Sequence, residues 1–189
     1  MKITLSSSPA WFRLASVALF LLATVGSRVA AQPAQLAPAD EAALRRLIPK
    51  ADHFELVETG LRHFRAYSSG LEPDGRMEVV GLAFFTTDLT PRIYAYKGRI
   101  TTLVALDVGG TLVGVQVVHH YEPFGYFSID RPEFSEQFLG KSILDPLEVG
   151  EDVDAVSRAT ITVEAATRAI RQGARQLVRE FLAKRPTEP

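Results

Sequence analysis

Hydrophobic positions recur with a helical period at both ends of the chain and change period in its middle. Near the start, Ala43, Leu44, Leu47 and Ile48 share one side of a helix that Asp40 would cap, and Pro49 cannot extend it. In the middle, residues 54–57, 62–67, 78–85, 93–96 and 100–106 are short β-branched or aromatic runs between turn residues, and read as strands. Pro73-Asp74-Gly75 marks one turn. Asp107-Val-Gly-Gly-Thr111 predicts a hairpin into a last strand, 112–118, on which Val113, Val115 and Val117 share a face.

Residues 121–133, rich in aromatics, Pro and Gly, read as a loop. A short helix is expected over 134–139, ended by Gly140, and an acidic connector over 145–153. Val163, Ala166, Ile170, Ala174, Leu177 and Phe181 then recur at spacings of three and four, a long amphipathic helix whose far limit is Pro186. Antiparallel strands between terminal helices predict an α+β domain: an antiparallel sheet core with an N-terminal helix and a long C-terminal helix.

The first residues do not belong to that pattern. Lys2 and Arg13 precede an apolar run from Leu14 to Val25, and Val29-Ala-Ala31 offers small residues for cleavage before Gln32. Residues 1–31 are therefore expected to be a signal peptide, too short in its apolar run to span a bilayer comfortably, and removed on export to the periplasm. Residues 32–39 read as a flexible lead-in and 40–185 as one domain. The leader holds Lys2, Arg13 and Arg28 and no acid, so 18 basic and 22 acidic residues remain, a net charge of −4. That balance gives no electrostatic reason to bind nucleic acid. Cysteine is absent from the sequence, which excludes disulfides, iron–sulfur clusters and thiolate metal sites; a redox role would need a cofactor held without sulfur.

The candidate chemistry lies just before the long helix, in Asp154-Ala-Val-Ser-Arg-Ala-Thr-Ile-Thr162. Hydroxyls placed there are ordinarily N-caps. They would also suit a phosphate, because the first turn of a helix carries unpaired N–H groups and the positive end of the macrodipole. Upstream, His119 and His120 end a strand with side chains on opposite faces, His119 continuing the Val113-Val115-Val117 face, either at the core edge or in a cofactor pocket. With Glu122 they supply metal-type donors but no well-spaced third ligand, so no metal site is expected. Tyr121, Phe124, Tyr126 and Phe127 are either core filler or the wall of a slot for a flat ring. Arg168, Arg171, Arg175 and Arg179 form a stripe that reads as a solvated face, or else as a dock for an acidic partner.

The Asp154–Thr162 segment resembles the flavinylation motif of the FMN-binding domain family, found in the NosR regulators of nitrous oxide respiration and in small periplasmic subunits of the sodium-pumping NADH:quinone oxidoreductase and Rnf complexes. Tyr96-Lys-Gly-Arg-Ile100, residues 104–107 and 110–115, and His119-His-Tyr-Glu-Pro123 are similar to the same family in order and spacing, the last element to its NosR branch. The resemblance implies a periplasmic electron carrier rather than a stand-alone enzyme. FMN would be joined by a phosphoester to Thr160, with Asp154, Ser157, Ala159 and Thr162 in the signature and Arg158 standing where the family usually has Gly. It further implies His119, His120, Glu122, Pro123 and Gly125 near the flavin, a periplasmic flavin transferase as maturation partner, and electron exchange with a membrane quinol-linked complex or cytochrome. Once cleaved, the chain would span no membrane. A chain that kept this fold without covalent flavin would instead be a binding or assembly module for a periplasmic redox enzyme.

Overall fold

Five strands in sequence order form one antiparallel meander, so each strand pairs with its chain neighbour. The computed structural model describes residues 36–71 and 75–184, all within one compact unit, Gln32–Pro189. The expected leader, the first part of the lead-in, the Pro73-Asp74 end of the predicted turn and Pro186 lie outside the described residues. The elements are α1 (Pro38–Leu47), β1 (His53–Val57), β2 (His63–Leu71), β3 (Met77–Phe85), α2 (Thr86–Leu89), β4 (Thr101–Asp107), β5 (Leu112–His119), a 3-10 turn (Gly125–Phe127), α3 (Pro132–Glu136) and α4 (Thr160–Lys184). Among the described residues, no helix is long and apolar enough to cross a membrane.

Alternation along the central strands gives the sheet two apolar faces. Leu82 and Phe84 of β3 and Val104 and Leu106 of β4 point to the side covered by α4, while Ala83, Leu103 and Ala105 point to the side covered by α1. The α4 side is the larger core, built on Val163, Ala166, Ile170, Ala174 and Leu177. Gly173 permits its closeness to the sheet, since a Cβ there would lie 2.3 Å from the Phe84 ring. The domain is therefore helix, sheet, helix, an α+β architecture.

Several sequence expectations change here. Helix α1 starts at Pro38, whose fixed φ suits a first helical position, so the lead-in is shorter than read and Asp40 sits in the first turn instead of capping it. Residues 93–96 are not a strand; Ala95 N–H bonds to Gly98 C=O, 2.7 Å, and closes a tight turn. The four-residue helix α2, Thr-Thr-Asp-Leu, directly follows the apolar run of β3 and is too short to show a hydrophobic period. Register shifts between Ala105 and Leu106 and between Thr101 and Thr102 leave Val113 and Val118 as extra residues on β5. Each bulge reverses the alternation. Leu112, Val115 and Val117 therefore pack toward the core, whereas Val113 and His119 are exposed.

Candidate functional site

The start of α4 is set by a turn that its sequence does not favour. Ala159 N–H bonds to Val156 C=O at 3.0 Å, closing a β-turn whose third residue, Arg158, has φ 69°. Left-handed backbone at that position is ordinarily glycine's, because a Cβ crowds the neighbouring carbonyl. Ala159 C=O accepts the Val163 N–H at 2.9 Å and so occupies the cap position, with its methyl group buried. Alanine has no side-chain oxygen with which to satisfy the first-turn N–H groups. Neither Ser157 nor Thr160 caps the helix: Thr160 is its first residue, and both are exposed. No acid lies in the first turn to offset the macrodipole. Asp154, also exposed, is anchored by its backbone N–H to Gln137 Oε1, 2.8 Å.

Thr162 behaves differently. It is buried, and its hydroxyl donates to Glu122 Oε2 at 2.6 Å. Glu122 is itself 6% exposed, and its carboxylate also accepts the N–H of Tyr96, 3.2 Å, and of Lys97, 2.6 Å. One buried carboxylate thus joins the start of α4 to the 95–98 turn.

His120 braces Glu122 from the other side. Its Nδ1 accepts the Glu122 N–H at 3.0 Å, which leaves the proton on Nε2 to reach Asp130 Oδ1 at 2.7 Å. Gly125 lies under this ring, where a Cβ would come within 2.2 Å of it. The glycine is there for the imidazole. Pro123 is exposed on the same loop. His119 is not at the core edge: past the Val118 bulge it is exposed, its ring edge-on to Tyr121 at 4.7 Å.

The aromatic loop is not core filler either. Tyr121, Phe124 and Tyr126 are exposed; only Phe127 packs on the core, with Phe124 and Tyr126 against it. Tyr94 and Tyr96 are exposed on the neighbouring turn, where Lys97 Nζ lies 5.2 Å from the Tyr96 ring centre. The arginine stripe divides. Arg171 bonds to Pro146 C=O and pairs with Glu148, and Arg175 bonds to the carbonyls of Ile143 and Asp145, both at 2.7 Å, so these two tie α4 to the connector and are not a solvated face. Arg168 and Arg179 remain exposed.

Further along α4 and around its side, a small cleft is lined by Thr86, Thr90, Ile93, Ile100, Ala165 and Ala169, with exposed Arg99 beside them. The Thr86 and Thr90 hydroxyls donate to Ile100 C=O and Thr86 C=O, so the cleft's chemistry is largely apolar. Ala165 and Ala169 stand about 7.5 and 13.5 Å beyond Thr160 along the helix axis.

The sequence alone did not reveal Asp130 or the Tyr96 and Lys97 amides as partners of this network. A carboxylate's backbone partners leave no mark on side-chain identity, and nothing in the spacing of His120 and Asp130 distinguishes them from other loop residues.

The profile of the FMN-binding domain family matches residues 95–175, which contain the 95–98 turn, Glu122 and the start of α4. The chain is 31% identical over 179 residues to the G-type subunit of the ion-translocating oxidoreductase complex of Cereibacter sphaeroides strain ATCC 17029, covering 86% of this chain and 78% of that one. It is 34% identical over 90 residues to the protein of the same name from strain ATCC 17023, covering 42% of this chain and 41% of that one. The class is a flavin-binding, electron-transfer domain. More narrowly, the chain belongs to the FMN-binding domain family, and FMN is its cofactor.

Proposed function

We propose that this protein is an exported electron carrier whose FMN is esterified through its phosphate to Thr160. The observation that carries the reading is the build of the α4 start: an exposed threonine at the first helical position, behind a left-handed turn, with an alanine at the cap and no acid in the first turn. The residues present fit the group. A phosphate diester on Thr160 would keep one negative charge, which the unpaired first-turn N–H groups and the macrodipole favour. Arg158 and Ser157 would flank it with a cation and a hydroxyl. Exposed tyrosines on the adjoining turns suit a flat apolar ring.

Attachment forms the bond from Thr160 Oγ to phosphorus, and the hydroxyl proton leaves to a base on the transferase. The bond broken is the phosphoanhydride of an activated flavin dinucleotide, whose nucleotide half departs as the leaving group. When bound, the flavin supplies the electron-accepting and electron-donating chemistry. The start of α4 would hold its phosphate, and the exposed aromatic residues of the adjoining turns would present the ring to a partner.

Residues 1–31 would carry the chain to the periplasm, where a flavin transferase modifies it. A membrane redox complex, or a cytochrome, would exchange electrons with it. The curated relatives are named as subunits of an ion-translocating oxidoreductase complex, which favours the former; the His119–Pro123 element is the part that resembles the NosR branch.

A denaturing gel of protein produced with and without the transferase tests the reading. A flavin-fluorescent band is expected only with the transferase. A dark band with it would contradict covalent attachment, and a colourless native protein would contradict flavin binding here.

A further inference from the structure

Two threonines stand at the start of α4, and their hydroxyls are chemically equivalent. Residues two apart on a helix project about 200° from one another, so one of the pair faces the protein and the other faces out. Thr162 faces in and Thr160 out. What fixes that choice is Glu122. Its carboxylate is buried among three hydrogen-bond donors from two places: the Thr162 hydroxyl at 2.6 Å, and the amides of Tyr96 and Lys97 in the 95–98 turn.

We propose that Glu122 is a positioning residue for flavin attachment, which holds the first turn of α4 through the Thr162 hydroxyl and so presents Thr160 to the transferase. The inference rests on the reading that Thr160 is the attachment site. Three features of the geometry support it. The Thr162–Glu122 bond spans distant parts of the chain and is short, as expected when a hydroxyl donates to a carboxylate. Glu122 is held at both ends: its backbone N–H donates to His120 Nδ1, whose Nε2 bonds Asp130, and its carboxylate is fixed by the Tyr96 and Lys97 amides. The Thr162 proton is committed to Glu122, so that hydroxyl is both shielded and spoken for when the bond from Thr160 Oγ to phosphorus forms and the donor's phosphoanhydride breaks. Without this tether the first turn, which has an alanine cap and a strained Arg158, would rest on the packing of Ala159 and Val163 in the core.

The test compares wild type with Thr162→Val and Thr162→Ser, using the full chain, the transferase and a flavin dinucleotide. Valine keeps the volume and removes the donor; serine keeps the donor. Thr162→Val should slow FMN loading by about tenfold or more, the scale of a lost charge-assisted hydrogen bond, and Thr162→Ser should restore most of the rate. The flavin-free proteins give a second readout by amide hydrogen exchange. Thr162→Val should speed exchange together in residues 95–98 and 160–163, with β3 and β4 unchanged and serine at the wild-type level. Wild-type loading matched by Thr162→Val, or serine no better than valine, would overturn the inference alone; so would exchange that is unaltered or raised across the whole domain. Absence of loading in wild type would overturn the reading beneath, and this inference with it.

Discussion

Arg158 adopts a left-handed backbone that glycine ordinarily takes. Its φ of 69° costs an L-residue about 1–2 kcal/mol, while glycine there would add about 0.5–1 kcal/mol of unfolded-state entropy to be lost. The difference favours glycine by about 0.5–1 kcal/mol, so Arg158→Gly should raise Tm by about 2 °C in a calorimetric scan. A lowered Tm would mean that the arginine side chain contributes more than its backbone costs. The sequence made the segment legible as a motif, but it could not say that arginine would accept the glycine conformation, since φ at one residue leaves no mark on side-chain identity.

At the scale of elements, the connector between α3 and α4 is organised by Asp152. Its carboxylate accepts the N–H of Leu147 at 3.1 Å and of Glu148 at 2.7 Å, with Lys141 Nζ at 3.5 Å. Partial burial pushes its pKa up, but the two backbone N–H groups and Lys141 outweigh that and hold it below the usual carboxylate range. A carboxylate depressed in the fold contributes stability that is fully present above the unfolded pKa and fades as pH falls through the folded one. Asp152→Asn should therefore be less stable by about 1–2 kcal/mol at neutral pH, with the gap to wild type closing below about pH 4. Denaturant midpoints taken across that range check it; a gap independent of pH would contradict the role of the charge. Arg171 and Arg175 secure the same connector from α4. Helical periodicity placed those arginines on one stripe correctly, yet gave no sign that main-chain carbonyls of a loop would take two of them. The bulges in β5 were similarly invisible, because the residues inserted, Val113 and Val118, are ordinary strand formers.

For the whole molecule, the antiparallel core and the long last helix were legible, since both follow from hydrophobic period alone. The sheet buries apolar residues on both faces, which explains why β3 and β4 read as nearly continuous apolar runs. The candidate site was legible as a list of residues and not as an arrangement. Thr160, Thr162 and Glu122 could be named from the sequence, but only the fold separates an outward threonine from one bonded to a buried carboxylate. Family membership supplies FMN as cofactor, and the α4 start supports a place for its phosphate. The most direct test is to digest the exported, transferase-treated protein with trypsin and sequence the peptide Ala159–Arg168 by fragment-ion mass spectrometry. This peptide should carry the added mass of one esterified FMN, assigned before Ile161, and Thr160→Ala should remove it. An unmodified peptide, or a modification assigned to Thr162 or Thr167, would contradict attachment at Thr160.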